Sequence, residues 1–192
     1  MYYYPCKPNR LAPESGYFNS LDNDPRWIAE VKKNGWRCLA YREKESLVLY
    51  TRHHTLITDP LQEVRNYLFV TLAPGTILDG ELINNRTKDV KSLYYVFDVI
   101  ASSGDLLVNC SLSHRRSVLE KLVRPYPGVV ELAAQTITGK KRLYESSIQT
   151  SVNEGIVIKR LDSKYLASET RCLQNPYWLK VKRPDSHLFV QI

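Results

Sequence analysis

No stretch of this 192-residue sequence carries the roughly 18 consecutive apolar residues that a membrane-spanning helix needs. Its start, Met1-Tyr-Tyr-Tyr-Pro-Cys6, has neither the basic opening nor the apolar core of a secretory signal. A soluble intracellular protein, cytoplasmic or of the nucleoid or nucleus, is therefore expected, with no membrane partner. Cysteine is sparse, and Cys6, Cys38, Cys110 and Cys172 lie far apart with no C-x-x-C pair and no nearby histidine cluster. That excludes a disulfide framework and a zinc site and leaves free thiols. Internal repeats and low-complexity linkers are absent, and 43% hydrophobic with 24% charged residues is the balance of an ordinary globular chain. One domain over residues 1–192, acting as a monomer, is the expectation.

Charge is abundant but uneven. Lys+Arg total 27 against 20 Asp+Glu, a net +7. Residues 139–192 hold ten basic and five acidic residues, so +5 of the +7 sits in the last 54 positions. A basic surface favours a polyanionic partner. Lys140, Lys141 and Arg142 are the densest basic run there and the expected footprint.

Short segments rich in Val, Ile, Tyr and Leu recur between turn signals, the pattern of strands in a mixed or antiparallel sheet. The expected strands are 27–32, 36–42, 47–52, 77–83, 93–100, 129–132, 155–161 and 178–182. Helical spacing is clearest over 61–68 and 113–123, the second with Ser113 as its cap, and weaker over 139–148. The first 20 residues, 101–105 and 163–176 read as loops. More strand than helix makes the fold class α+β.

Lys33-Asn34-Gly35-Trp36 joins the first two strands, and Asn-Gly is a strong signal for a tight hairpin turn. Alternation along a strand puts Glu30 and Lys32 on one face, as it does Asp79 and Glu81, Glu154 and Ile156, and Trp178, Lys180 and Lys182. Carboxylates and lysines turned toward one cleft are costly unless the cleft binds phosphates or a metal. Taken alone, Lys32 and Lys33 read as a solvated hairpin end, Phe97 as core, and Lys180 with Lys182 as an edge that discourages aggregation. His53, His54, His114 and His187 show no ligand spacing.

Together, Glu30-Val-Lys32-Lys-Asn-Gly35-Trp-Arg37, Leu78-Asp-Gly-Glu81-Leu82, Tyr95-Val-Phe97-Asp98, Glu154-Gly-Ile-Val-Ile-Lys159 and Trp178-Leu-Lys180-Val-Lys182 resemble, in order and spacing, the motifs of the covalent nucleotidyltransferases. That superfamily includes ATP-dependent DNA ligases, RNA ligases and capping guanylyltransferases. E-G-I-V-I-K, W-L-K-V-K and the segment Leu112-Ser-His-Arg115-Arg116-Ser-Val-Leu119 look most like DNA ligases, with RNA ligases the next nearest and a noncatalytic adenylate or nucleic-acid binding module the alternative from another class. The resemblance implies a nucleotidyltransferase (ATP-grasp-like) fold of mainly antiparallel sheets with flanking helices around a nucleotide cleft. It further implies a Lys32-AMP intermediate formed from ATP, transfer of AMP to a 5′-phosphate, and sealing of a nick, in DNA above all.

By the same resemblance Glu30 looks like the acceptor for the adenine amino group, with Val31 beside it in the pocket. Arg37 and Glu81 look like ribose contacts, Phe97 like the ring stacked on adenine, and Arg52 like a phosphate contact. Glu154 resembles the carboxylate that holds Mg²⁺ (or Mn²⁺), and Lys180 and Lys182 the cation pair facing the reacting phosphate. Lys159 is an open case, since alternation with Ile158 leaves its direction undecided, and Arg115 and Arg116 read as surface charge near nucleic acid. In two respects the sequence departs from the family pattern. Asn34 stands where the family usually has Asp, and no OB domain follows W-L-K-V-K before Ile192. The implied partner is nicked duplex DNA, and the resemblance leaves room for a protein partner that supplies the OB function.

Overall fold

The computed structural model describes residues 1–58, 61–83 and 92–184. His187 lies outside them. The chain runs β1(Lys7–Arg10), α1(Gly16–Leu21), β2(Trp27–Lys33), β3(Trp36–Arg42), β4(Leu47–Thr51), α2(Gln62–Thr71), β5(Thr76–Ile83), β6(Leu93–Ser102), β7(Asp105–Leu106), α3(Leu112–Leu122), β8(Val130–Leu132), β9(Gln135–Thr136), α4(Lys140–Ser147), β10(Asn153–Arg160) and β11(Gln174–Lys182). One sheet has the order β1-β11-β10-β2-β9, the other β4-β3-β5-β6-β7, with β8 also on β6. Most pairings are antiparallel; β1 with β11 and β6 with β8 are parallel.

Each sheet buries its outer face under helices. Ala29, Ile156, Ile158, Leu179 and Val181 alternate with the polar residues of their strands and pack against Phe18 and Leu21 of α1 and Tyr144 of α4. Cys38, Ala40, Leu78 and Val96 of the second sheet pack in the same way against Val64 and Leu68 of α2 and Leu119 of α3. Between the sheets, Leu39, Tyr41, Ile77, Ile100, Tyr165 and Trp178 form a third core with Tyr2 and Cys6 of the N-terminal segment. The cysteines are free thiols, as expected.

The Asn-Gly hairpin does not form. β2 pairs with β9 and β10, β3 with β4 and β5, so Asn34-Gly35 carries the chain from one sheet to the other. Asn34 N donates to Val152 O, and Gly35 N to Glu81 Oε1. Gly35 is required for closeness: a Cβ there would lie 2.5 Å from Leu82 O. The turn signal is local, whereas the strand partner is set by burial on both sides.

Smaller corrections have similar causes. The first 20 residues contain β1 and α1, whose polar, proline-punctuated sequence hid them; Ser15 caps α1 by accepting from Phe18 N. α3 is capped by Ser111, which accepts from His114 N, and not by Ser113. β4 ends at Thr51, so Arg52 begins the following turn, and β11 begins at Gln174 inside the expected loop.

Candidate active site

Three strands of the first sheet form a ladder of inward-facing side chains. Lys32, Gly155 and Lys182 are directly opposed across β2, β10 and β11; Glu30, Val157 and Lys180 form the next row; Ile28, Lys159 and Trp178 the one beyond. Gln135 of β9 extends the middle row beside Glu30. Lys159 therefore points inward, which settles its direction.

At the first row, Gly155 leaves a gap between two lysines. Its φ of +138° and the 2.0 Å separation a Cβ would have from Val181 O both exclude a side chain there. Asn153 pairs with Lys33 and Gly155 with Lys32, so Glu154 is the extra residue of a bulge. A bulge re-aims its side chain, and Glu154 Oε2 lies 2.7 Å from both Lys32 Nζ and Lys182 Nζ. Burial pushes the Glu154 carboxyl up, but Lys32 and Lys182 outweigh it and hold it below the usual range. Lys180, one row away, has no carboxylate in ion-pair contact among the described residues; burial, then Lys182 and Lys32, push its ammonium down. The cluster carries more cation than anion.

The second sheet supplies the facing wall. Arg37, Glu81 and Tyr95 are opposed across β3, β5 and β6. Phe97 sits where two residues of β6 face one of β5, a second bulge, with Arg37 Cζ 4.9 Å and Lys159 Nζ 4.7 Å from its ring centroid. Arg37 binds the fully buried Asp79 through Nε at 2.7 Å and Nη2 at 2.5 Å, and Tyr165 donates to Asp79 Oδ2 at 2.5 Å. The Arg37 head is thus fixed beside the cleft. Glu81 accepts from Gly35 N at 3.1 Å, and burial pushes its carboxyl up against the pull of Lys32 and Arg37.

These elements enclose a cleft of about 610 Å³. Every residue singled out for a site role lines it: Glu30, Val31, Lys32, Arg37, Arg52, Glu81, Phe97, Glu154, Lys180 and Lys182. Lys7, Tyr95, Trp36 and Cys172 line it as well, without having been expected. Arg52 reaches the rim from the turn after β4, where its side chain donates to His53 Nε2.

Two cation groups are not where the sequence put them. Arg115 is wholly buried, bidentate to Asp98 at 2.8 and 3.0 Å, and it also donates to Cys110 O and Ser163 O. It ties α3 to β6, one residue from Phe97, and is not surface charge. Arg116 is the outer member of the pair, bound to Glu120 and Ala133 O. Lys140 is buried too, its ammonium donating to Asp22 O, Asp24 O and Ile137 O, so it joins α4 to the end of α1 and leaves the expected anion footprint. Spacing alone does not separate an inward from an outward cation on a short helix.

This is the fold of the nucleotidyltransferase domains of DNA ligases: the ligase domain of M. tuberculosis LigD superposes with a TM-score of 0.69 at 20% identity, covering 94% of this chain and 59% of that one. The family described as ATP dependent DNA ligase domain matches residues 83–182, just over half of the sequence, and the chain belongs to that family. The SPbeta prophage-derived DNA ligase-like protein LigB of Bacillus subtilis is 30% identical over 180 residues, covering 85% of this chain and 63% of that protein. A DNA ligase of Methanocorpusculum labreanum is 27% identical, covering 90% of this chain and 35% of its own length. The chain spans less than two thirds of these relatives. Among its described residues no helix is long and apolar enough to cross a membrane.

Proposed function

We propose that this chain is the adenylation domain of an ATP-dependent DNA ligase. The observation that carries the reading is the cationic first row of the ladder, Lys32 and Lys182 sharing the single carboxylate of Glu154 with Lys180 beside them. The excess positive charge fits a polyphosphate. Lys32 attacks the α-phosphate of ATP as a neutral amine: a nitrogen–phosphorus bond forms, the α–β bridging bond breaks, one amine proton is released and pyrophosphate departs. Lys180 and Lys182 stabilise the charge that builds on the pentavalent phosphate, where fixed cations act without reorganising.

Phe97 and Val157 line the adenine end, Glu30 accepts from the 6-amino group, and Arg37 and Glu81 meet the ribose. Arg52 on the rim receives the phosphate of the strand to be joined. AMP then passes from Lys32 to the 5′-phosphate of a nick in duplex DNA, and the 3′-hydroxyl displaces it. Glu154 is the residue that would hold a divalent cation. The Glu154 carboxylate at the open mouth, with no cluster of three or more His, Cys, Asp or Glu among the described residues, fits a Mg²⁺ or Mn²⁺ that keeps most of its waters. Bound there, the ion supplies charge neutralisation to phosphate oxygens.

Incubation with labelled ATP or GTP and Mg²⁺, followed by a chase with nicked DNA or nicked RNA, tests the reading. A Lys32 adduct from ATP that discharges onto nicked DNA is expected. No adduct, or discharge onto RNA alone, overturns it.

A further inference from the structure

Glu30 is one of the few buried carboxylates among the described residues, 3% exposed, and both of its oxygens are held. Lys159 Nζ lies 2.6 Å from Oε2, and Gln135 Nε2 donates to Oε1 at 2.7 Å. Gln135 belongs to β9, a strand of two residues at the sheet edge, directly opposite Glu30 in the register. It does not itself line the cleft, whereas Glu30 does. Only the amino end of an amide can meet a carboxylate, so this contact fixes the orientation of both side chains.

We infer that Gln135 is a positioning residue that sets the preference of the cleft for a 6-aminopurine; the inference rests on the reading of Glu30 as acceptor for that amino group. A carboxylate offers about four lone-pair sites; Gln135 takes one by hydrogen bond, and Lys159 lies against the other oxygen as an ion pair. Left with Lys159 alone, the carboxylate would turn both oxygens to the ammonium, because an unshared ion pair is strong in a desolvated setting. Gln135 holds Oε1 away from Lys159 and leaves a lone pair free beside Phe97 and Val157. An exocyclic amino group satisfies that lone pair. A 6-oxo group sets lone pair against lone pair, and a 6-hydrogen leaves the acceptor unmet, and a site built around such a bond rejects the analogue that lacks it. The short edge strand is thereby given a chemical task that its sequence did not disclose.

The test measures Lys32 adduct formation by the 192-residue chain with ATP, with purine riboside triphosphate, which carries hydrogen in place of the 6-amino group, and with inosine triphosphate. Wild-type protein should favour ATP over the 6-hydrogen analogue by about tenfold or more in adduct rate over half-saturating concentration, and over inosine triphosphate more strongly. Gln135→Ala and the near-isosteric Gln135→Met should bring the ATP to 6-hydrogen ratio to within about threefold of unity, with the rate at saturating ATP little changed. A packing defect alone would lower the melting temperature without moving that ratio. If wild type shows the preference, Glu30→Gln abolishes it and both Gln135 variants keep it, the role of Gln135 is overturned while that of Glu30 stands. If wild type shows no preference, the reading of Glu30 fails and the inference falls with it.

Discussion

The interior of the protein and the mouth of the cleft hold the same residue types in opposite arrangements. In the interior, Arg115 pairs with Asp98, Arg37 with Asp79 and Lys159 with Glu30, while the buried Lys140 ammonium is satisfied by backbone carbonyls. At the mouth, one carboxylate serves two lysines and a third lysine has none. Exposure separates them as well, with side chains of Arg115 and Asp98 at 0% against 22% for Lys32 and 28% for Lys182. Burying a charge without compensating partners is expensive, so each buried cation is closed by a carboxylate or, at Lys140, by three backbone carbonyls. At the mouth the surplus of cation is left for water, or an anionic ligand, to complete. The comparison teaches that fully satisfied charge marks structure here and incompletely satisfied charge marks chemistry.

The largest effect should come from the mouth. Lys32→Ala is expected to abolish the covalent adduct with labelled ATP, leaving the melting temperature within a few degrees, since the residue is partly exposed. Lys33→Ala, whose ammonium lies over the Tyr95 ring at 5.2 Å, should still be labelled. Peptide mapping of the adduct checks both, and label on Lys33 would move the nucleophile.

The interior should respond in stability. Asp98→Ala leaves Arg115 buried without a counter-charge, a change that costs ~3–5 kcal/mol and lowers the melting temperature by about 10 °C in a chain of this size. Glu120→Ala, which breaks the half-exposed pair with Arg116, should cost under ~0.5 kcal/mol. Thermal denaturation of the two variants together measures the gap. Equal losses would mean that exposure does not separate the pairs.

Glu154→Gln tests the mouth more gently. Loss of this carboxylate should slow adduct formation by about 10²-fold, the usual scale for one electrostatic group at a reacting centre. It should also change the acid limb of stability. A carboxyl held below its unfolded value contributes stability above the unfolded pKa of about 4.3 and loses it as pH falls through the folded value. Burial opposes that depression and Lys32 with Lys182 impose it. Between about pH 5 and 3 the wild type should therefore lose stability more steeply than Glu154→Gln, in melts taken across that range.

What could be read beforehand follows the same division. The strands and the α+β class rest on alternation, a property of the chain alone, and the cleft residues on the resemblance of its motifs to those of a family. The bulges at Phe97 and Glu154 are not, because each depends on how far the neighbouring strand is shifted, yet both aim the side chain into the cleft. Asn34-Gly35 carried a true turn signal, but two sheets, not one, claimed the strands on either side. Gln135 had no signal beyond its place after the strand at 130–132; its partner lies 105 positions away.

The smallest expected effect concerns three adjacent basic residues on α4. Lys140 is spent on three backbone carbonyls of the interior, whereas Lys141 uses only its backbone N–H, donating to Asp22 Oδ1 at 2.7 Å, and Arg142 is exposed. Polyanion binding falls with salt by about 0.9 in log–log slope per duplex phosphate neutralised. Replacing Lys141 and Arg142 together by Ala should flatten the slope for nicked duplex DNA by at most about 2, with the Lys32 adduct unchanged. Lys140→Ala should leave the slope alone and lower stability by about 2 kcal/mol, the cost of buried carbonyls losing a charged donor. Titrations at several salt concentrations, paired with melts, separate the two outcomes. An unchanged slope in the double variant would shift the DNA contact to the cleft rim, where Lys7, Lys33 and Arg52 stand, and would make the unbalanced mouth the place where this protein meets both its nucleotide and its strand.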